Sequence, residues 1–314
     1  MHNRFLAQAF AGRSETTHRL LATLVTWGAY LFLGGVPMLI LIAAYTANDE
    51  AAMANLEKGG LDLNALNLPA FPTFLTLMAS FVIGMAALLA GIKLIQKRSF
   101  KTLITGFARV RWGRMALALG IWMALAGIGA LVTELLSPGS IVLNPNTDDF
   151  FIFIVPALIL IPIQSAWEEM AIRGQLLQNF SRRFAMPLIP LLLTSAIFAL
   201  LHIMNNEVSE YGFLPMMFYY FSFGFFLGMF TLMDEGLEIA MGIHIGNNLF
   251  AFVFLTYPGA ALETPSVFST TQVNGLSDLG MFYASIVIVT MIFFGRKTRN
   301  YRALWANEPI NPYS

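Results

Sequence analysis

Two adjacent glutamates and two histidines are the main polar content of the apolar part of this 314-residue sequence. Glu168 and Glu169 come late in the otherwise apolar run from Phe150 to Ala166, and His202 and His244 each lie in apolar stretches. The other histidines, His2 and His18, belong to a polar N-terminal segment. Carboxylates and imidazoles are the groups that exchange protons near neutral pH, and they are costly in apolar surroundings unless they have a function. Their neighbours are spaced to meet them on helices. Glu169 and Arg173 are four apart, share one helix face and can form an ion pair. Glu168 points about 100° away around the helix and is free to face a neighbouring element. His244 and Asn248 share a face by the same spacing, with Asn247 on a different one. Phe198 and His202 do likewise, which sets an aromatic ring beside an imidazole.

The elements that must hold these residues follow from composition. Hydrophobic residues make up 57% of the chain and charged residues 11%. A soluble domain is nearer a quarter charged, so too few polar side chains remain to cover a water-facing surface. Eight apolar blocks lie near 20–45, 71–96, 114–136, 150–172, 185–205, 213–233, 237–257 and 277–295. Each is about the length a helix needs to cross a bilayer. They are apolar all round rather than alternating, which excludes barrel strands. The expected fold class is all-α: a polytopic membrane helical bundle of about eight transmembrane helices. The first block is too long for a cleaved signal core and is read as a retained span.

Charge placement sets the orientation. With the N-terminus in the cytoplasm, 17 of the 18 Lys and Arg residues fall on the cytoplasmic side, Lys58 being the exception. That is the expected asymmetry, and it requires an even number of spans with both termini cytoplasmic. The chain then divides into an N-terminal tail (1–19), three spans within 20–136, a core over 150–256, a last span over 277–295 and a basic tail over 296–314. The longest stretch outside the spans, 46–70, is too short for an independent core. The absence of cysteine excludes disulfides, thiolate metal sites and cysteine nucleophiles. Zero net charge gives no indication of a nucleic-acid partner.

Three short motifs occur in order on three of these helices: EEMAIR at Glu168 to Arg173, FALLH at Phe198 to His202, and HIGNN at His244 to Asn248. Together they resemble the signatures of the CPBP family, the CAAX prenyl endopeptidases and bacteriocin-processing membrane proteases. The resemblance covers about residues 150–256. It implies an intramembrane endopeptidase acting on a membrane-associated protein or peptide, in the bilayer of a multi-pass protein, with a bacterial plasma membrane as the expected location. Amide hydrolysis needs an activated water, a proton carrier and oxyanion stabilisation. The resemblance assigns Glu168 with His202 to the water and His244 with Asn248 to the oxyanion. Glu169, Arg173 and Phe198 are supporting residues. The family has been described both as metal-dependent and as metal-free. The cofactor expectation is therefore none or one Zn²⁺, and Glu168, His202 and His244 would be the ligands.

Other intramembrane protease chemistries find no support. There is no H-E-x-x-H and no Gly-Asp pair, and G-x-S occurs only at Gly12–Ser14 and Gly275–Ser277. The competing readings are a proton-coupled transporter using the same ionisable groups, and a non-catalytic scaffold of the same fold. One geometric condition attaches to the protease reading. If the fourth helix stopped near residue 172, Glu168 would lie far from His202, so that helix is expected to continue to about residue 180.

Overall fold

Long apolar runs with few breakers fold as helices because a backbone in lipid must satisfy its own hydrogen bonds. The computed structural model describes residues 3–47, 68–144, 149–261, 264–270, 275–295 and 304–305. Five of its helices are long and apolar enough to cross a membrane: α1 (Thr16–Thr46), α2 (Ala70–Ile95), α3 (Trp112–Leu136), α4 (Phe150–Ser181) and α6 (Phe213–Asp234). Three shorter apolar helices fall on the remaining blocks: α5 (Leu188–Leu201), α7 (Glu238–Phe254) and α8 (Gly275–Phe294). Large apolar side chains such as Leu24, Phe32 and Phe151 point outward from the bundle. The chain is an integral membrane protein.

The fourth helix runs on to Ser181, as the meeting of Glu168 with the other motifs requires. Its residues Met170–Leu177 take π-helical form, directly after the two glutamates. Such wide turns concentrate at functional sites because they re-aim side chains. Glu168 then lies about 20 Å from the end of α4, and His202 about 20 Å along α5, at 1.5 Å per residue. Antiparallel neighbours joined by residues 182–187 thus bring both groups to a similar depth.

Three features depart from the expectation. The fold is not wholly helical. Strands β1 (Ile141–Leu143), β2 (Leu255–Thr256) and β3 (Phe268–Thr270) form a small sheet in the order β1-β3-β2. β1 pairs antiparallel with β3 and β2 pairs parallel with it. These are two- and three-residue segments in interhelical connections, below the length at which alternation is legible. The fifth helix ends at Leu201 rather than 205, leaving His202 just beyond it, with a separate short helix at Asn206–Tyr211. The N-terminal segment is part of the packed fold. Asn3 caps a short helix, Arg4–Ala7, by accepting from the amides of Phe5 and Leu6, and its Nδ2 donates to the Leu232 carbonyl at 2.8 Å. Phe5 and Leu6 are fully buried.

The bundle is fastened on that same end by ion pairs. Arg111 contacts Asp234 at 2.8 Å and Glu238 at 2.7 Å, and Arg114 contacts Asp234 at 2.7 Å. Burial works against the charge of Arg111, but Glu238 and Asp234 outweigh it and hold its guanidinium above the ordinary value. These pairs fix the start of α7, six residues before His244.

Candidate active site

Helix α4 presents its polar residues at successive turns. Trp167 anchors it against α1 and α2, stacked on Tyr30 at 4.1 Å and set against Trp27 and Phe81. On the face turned from that aromatic packing, Glu169 pairs with Arg173 at 2.9 Å, both side chains fully buried. Arg173 also donates to the Gly224 carbonyl of α6 at 2.9 Å and lies over the Phe198 ring at 4.7 Å. A buried guanidinium is tolerated only with such partners, because desolvation of either charge alone costs several kcal/mol.

Helix α7 delivers His244 between the two carboxylates. Its Nδ1 is 2.8 Å from Glu169 Oε1. A carboxylate in this position accepts, so Nδ1 carries the proton and Nε2 turns to the other side. There it faces Glu168 Oε2 at 3.5 Å, too long for a direct hydrogen bond. Among the described residues Glu168 Oε2 has no hydrogen-bond partner, whereas Glu168 Oε1 accepts from Gln164 Nε2 at 2.6 Å. Phe198 and Phe223 wall His244 edge-on, with ring centroids at 5.9 and 5.4 Å.

Asn248 is held one turn beyond His244. Its Nδ2 donates to Gln164 Oε1 at 2.9 Å and to Ser165 Oγ at 3.2 Å. Its Oδ1 accepts from Asn247, whose own Oδ1 accepts from Trp122 of α3. Gln164 and Ser165 therefore join the carboxylate of Glu168 to the amide of Asn248. The motif reading missed both residues, although Gln164 precedes Glu168 by four residues, the spacing that links Glu169 to Arg173.

Among the described residues His202 makes no direct hydrogen bond to Glu168, whose charge nonetheless reaches its imidazole. Its Nδ1 donates to the Phe198 carbonyl at 2.7 Å, and its ring stacks on Tyr220 at 4.4 Å. The Phe198 ring contacts both imidazoles, at 4.4 Å for His202 and 5.9 Å for His244. The cause is the early end of α5: past Leu201 the backbone leaves the helix and the imidazole folds back on the last turn. His244 takes the place beside Glu168 instead. Seven motif residues thus form one buried cluster, with His202 at its rim.

In the expected zinc set of Glu168, His202 and His244, each histidine gives Nδ1 to a protein acceptor and leaves Nε2 free, as a metal-ligating imidazole does. Among the described residues no three His, Asp or Glu side chains converge as metal ligands.

A family model described as type II CAAX prenyl endopeptidase Rce1-like matches residues 148–250, the span of all three motifs. The uncharacterized protein YyaK of Bacillus subtilis is 31% identical over 206 residues, 65% of this chain and 67% of that protein. The chain belongs to the CPBP family. No solved structure matches it. CPBP membership makes the chain a relative of CAAX-type membrane proteases, and the buried Glu–His–Arg cluster is where the family's matched segment folds together.

Proposed function

We propose that this CPBP protein is an intramembrane endopeptidase that hydrolyses a peptide bond of a membrane-associated protein or peptide, with Glu168 as general base. The observation that carries this reading is the state of the Glu168 carboxylate. One oxygen is fixed by Gln164, and the other, unpartnered among the described residues, faces His244 Nε2 across 3.5 Å. A water there gives one O–H to Glu168 Oε2 and the other to His244 Nε2. Glu169 and Arg173 hold the imidazole in the tautomer this needs.

In the proposed reaction Glu168 takes a proton from the water as its oxygen attacks the scissile carbonyl carbon. The carbonyl oxygen becomes an oxyanion, and Asn248 Nδ2 donates to it after releasing Gln164 or Ser165. The proton on Glu168 then passes to the leaving amide nitrogen, the C–N bond breaks, and a carboxylic acid and an amine result, the acid then giving its proton to the amine. His202 borders the cluster on the side of the partly exposed Tyr219 and Asn205, where a substrate chain would enter. Preorganised donors in a water-poor site are the dominant catalytic term in such hydrolyses.

The accompanying topology proposal is eight crossings with both termini in the cytoplasm. It is supported by the eight apolar helices and by the clustering of basic loops at the end that holds Asn3, Arg98 and Arg111. The Bacillus relative favours a bacterial plasma membrane. The test is purified protein in liposomes mixed with membrane-embedded peptides, some prenylated at a C-terminal cysteine and some unmodified, with products identified by mass. Cleavage at a defined bond is expected. Ion flux without cleavage would replace the proposal with a transporter, and neither activity would leave a scaffold.

A further inference from the structure

The basic stretch between α2 and α3 divides in the folded chain. Arg111 and Arg114 meet Asp234 and Glu238, and Arg4 approaches Glu235 at 3.9 Å, so this half of the face is neutralised. Arg98 turns the other way. It is 6% exposed, its Nη1 donates to the Gln8 carbonyl at 2.8 Å and to Gln178 Oε1 at 3.1 Å, and its Nε has no acceptor among the described residues. Nearby Arg19 is 8% exposed. Arg19 Nε donates to the Ser14 carbonyl at 3.0 Å, and Arg182 donates to the same oxygen. Arg183 follows, exposed. Gly12, at φ +66°, makes the turn that lays this N-terminal segment on the end of α2; a Cβ there would sit 2.3 Å from the Gln96 carbonyl.

Four guanidinium groups therefore act on one another, and among the described residues one carboxylate, Glu15, lies near them. Glu15 is engaged with His18 at 3.1 Å. Among the described residues none of the four arginines makes an ion pair. Burial, and then the charge of Arg19, pull the Arg98 guanidinium down to about 10. Among the described residues Glu15 is the carboxylate acting on this fixed positive potential. The cluster's position identifies the anion. α1 starts at Thr16 and α2 ends at Ile95, and the first apolar side chains beyond them, Leu20, Leu24 and Leu94, are 58%, 69% and 70% exposed. That is headgroup level, with lipid-facing surface directly adjoining.

We propose that Arg19, Arg98, Arg182 and Arg183 bind the phosphate of an anionic phospholipid whose acyl chains run along the outer surface of α1 and α2. Arg182 and Arg183 present the charge to the headgroup, and the two buried arginines reinforce it from within. Arg182 directly follows the last residue of α4, so the bound lipid braces the helix that carries Glu168 and Glu169.

The test measures the unfolding midpoint of the full-length protein in neutral detergent with added phosphatidylglycerol, phosphatidylcholine or inorganic phosphate, and counts retained lipid by native mass spectrometry. Phosphatidylglycerol is expected to raise the midpoint by about 4 °C, an effect of binding to the folded state alone. Phosphatidylcholine and inorganic phosphate should leave it unchanged. The R182Q/R183Q variant should lose the shift and the retained lipid. R183Q alone, an exposed change that spares the packing, should weaken both. R109Q, which removes an exposed charge elsewhere on the face, should keep both. Equal shifts with the two lipids, equal loss in R109Q, or stabilisation by inorganic phosphate to the same extent would each overturn the proposal.

Discussion

At the scale of single residues, the site is a chain of donors and acceptors in which each group has one role left open. Arg173 fixes Glu169, Glu169 fixes Nδ1 of His244, and Nε2 of His244 is left facing Glu168. On the other side Gln164 fixes one oxygen of Glu168 and takes the amide of Asn248. A hydrogen bond to a charged group contributes about 1.5–3 kcal/mol, so Q164A should lower kcat by about tenfold to a hundredfold. KM should change little and the far-ultraviolet spectrum should be unaltered. A wild-type kcat in Q164A would remove this residue from the account. The three motifs were legible because their residues recur at helical spacing within apolar runs. Gln164 obeys the same spacing, but one amide in an apolar run carries no charge and so draws no notice. The position of His202 was not legible, because it depends on α5 ending four residues early at Leu201, without a proline or glycine there to mark the stop.

At the scale of elements, the decisive feature is the length and winding of α4. The meeting of Glu168 with the other motifs calls for a helix running to about residue 180, and α4 runs to Ser181. The π-helical turn over Met170–Leu177 was not foreseeable, since nothing in MAIRGQLL distinguishes it from an ordinary helix. That turn packs tightly. A Cβ on Gly174 would lie 2.6 Å from the Leu103 carbonyl, a backbone atom with little room to move. G174V should therefore lower stability by about 1–3 kcal/mol, the usual range for overpacking. Thermal unfolding in detergent reads the change directly. A midpoint equal to that of the unsubstituted protein would show that α4 is free to shift there. The short sheet of β1, β2 and β3 was hidden for a simpler reason: strands of two or three residues have no readable period.

At the scale of the whole molecule, composition and charge asymmetry carried the membrane assignment, and the apolar outer surface agrees with it. The number of crossings is a separate matter, because α5, α7 and α8 are short for a perpendicular span. The cysteine-free chain makes the topology measurable without background labelling. Single substitutions Ser137→Cys and Ser209→Cys should react with an impermeant maleimide on intact cells. Ser99→Cys should react only after permeabilisation. Labelling of Ser99→Cys from outside would invert the arrangement. The N-terminal segment escaped the sequence reading because its buried apolar residues, Phe5, Leu6 and Ala9, are too few to show a period.

Proteolysis by this bundle turns on one carboxylate activating one water. The direct measurement is kcat/KM for a cleaved membrane peptide with the wild-type protein and with E168Q, in the same liposomes and at matched folded concentration. A general base contributes about 10²- to 10⁴-fold, so E168Q should be slower by that factor with its fold intact. Turnover by E168Q at the wild-type rate would contradict the mechanism.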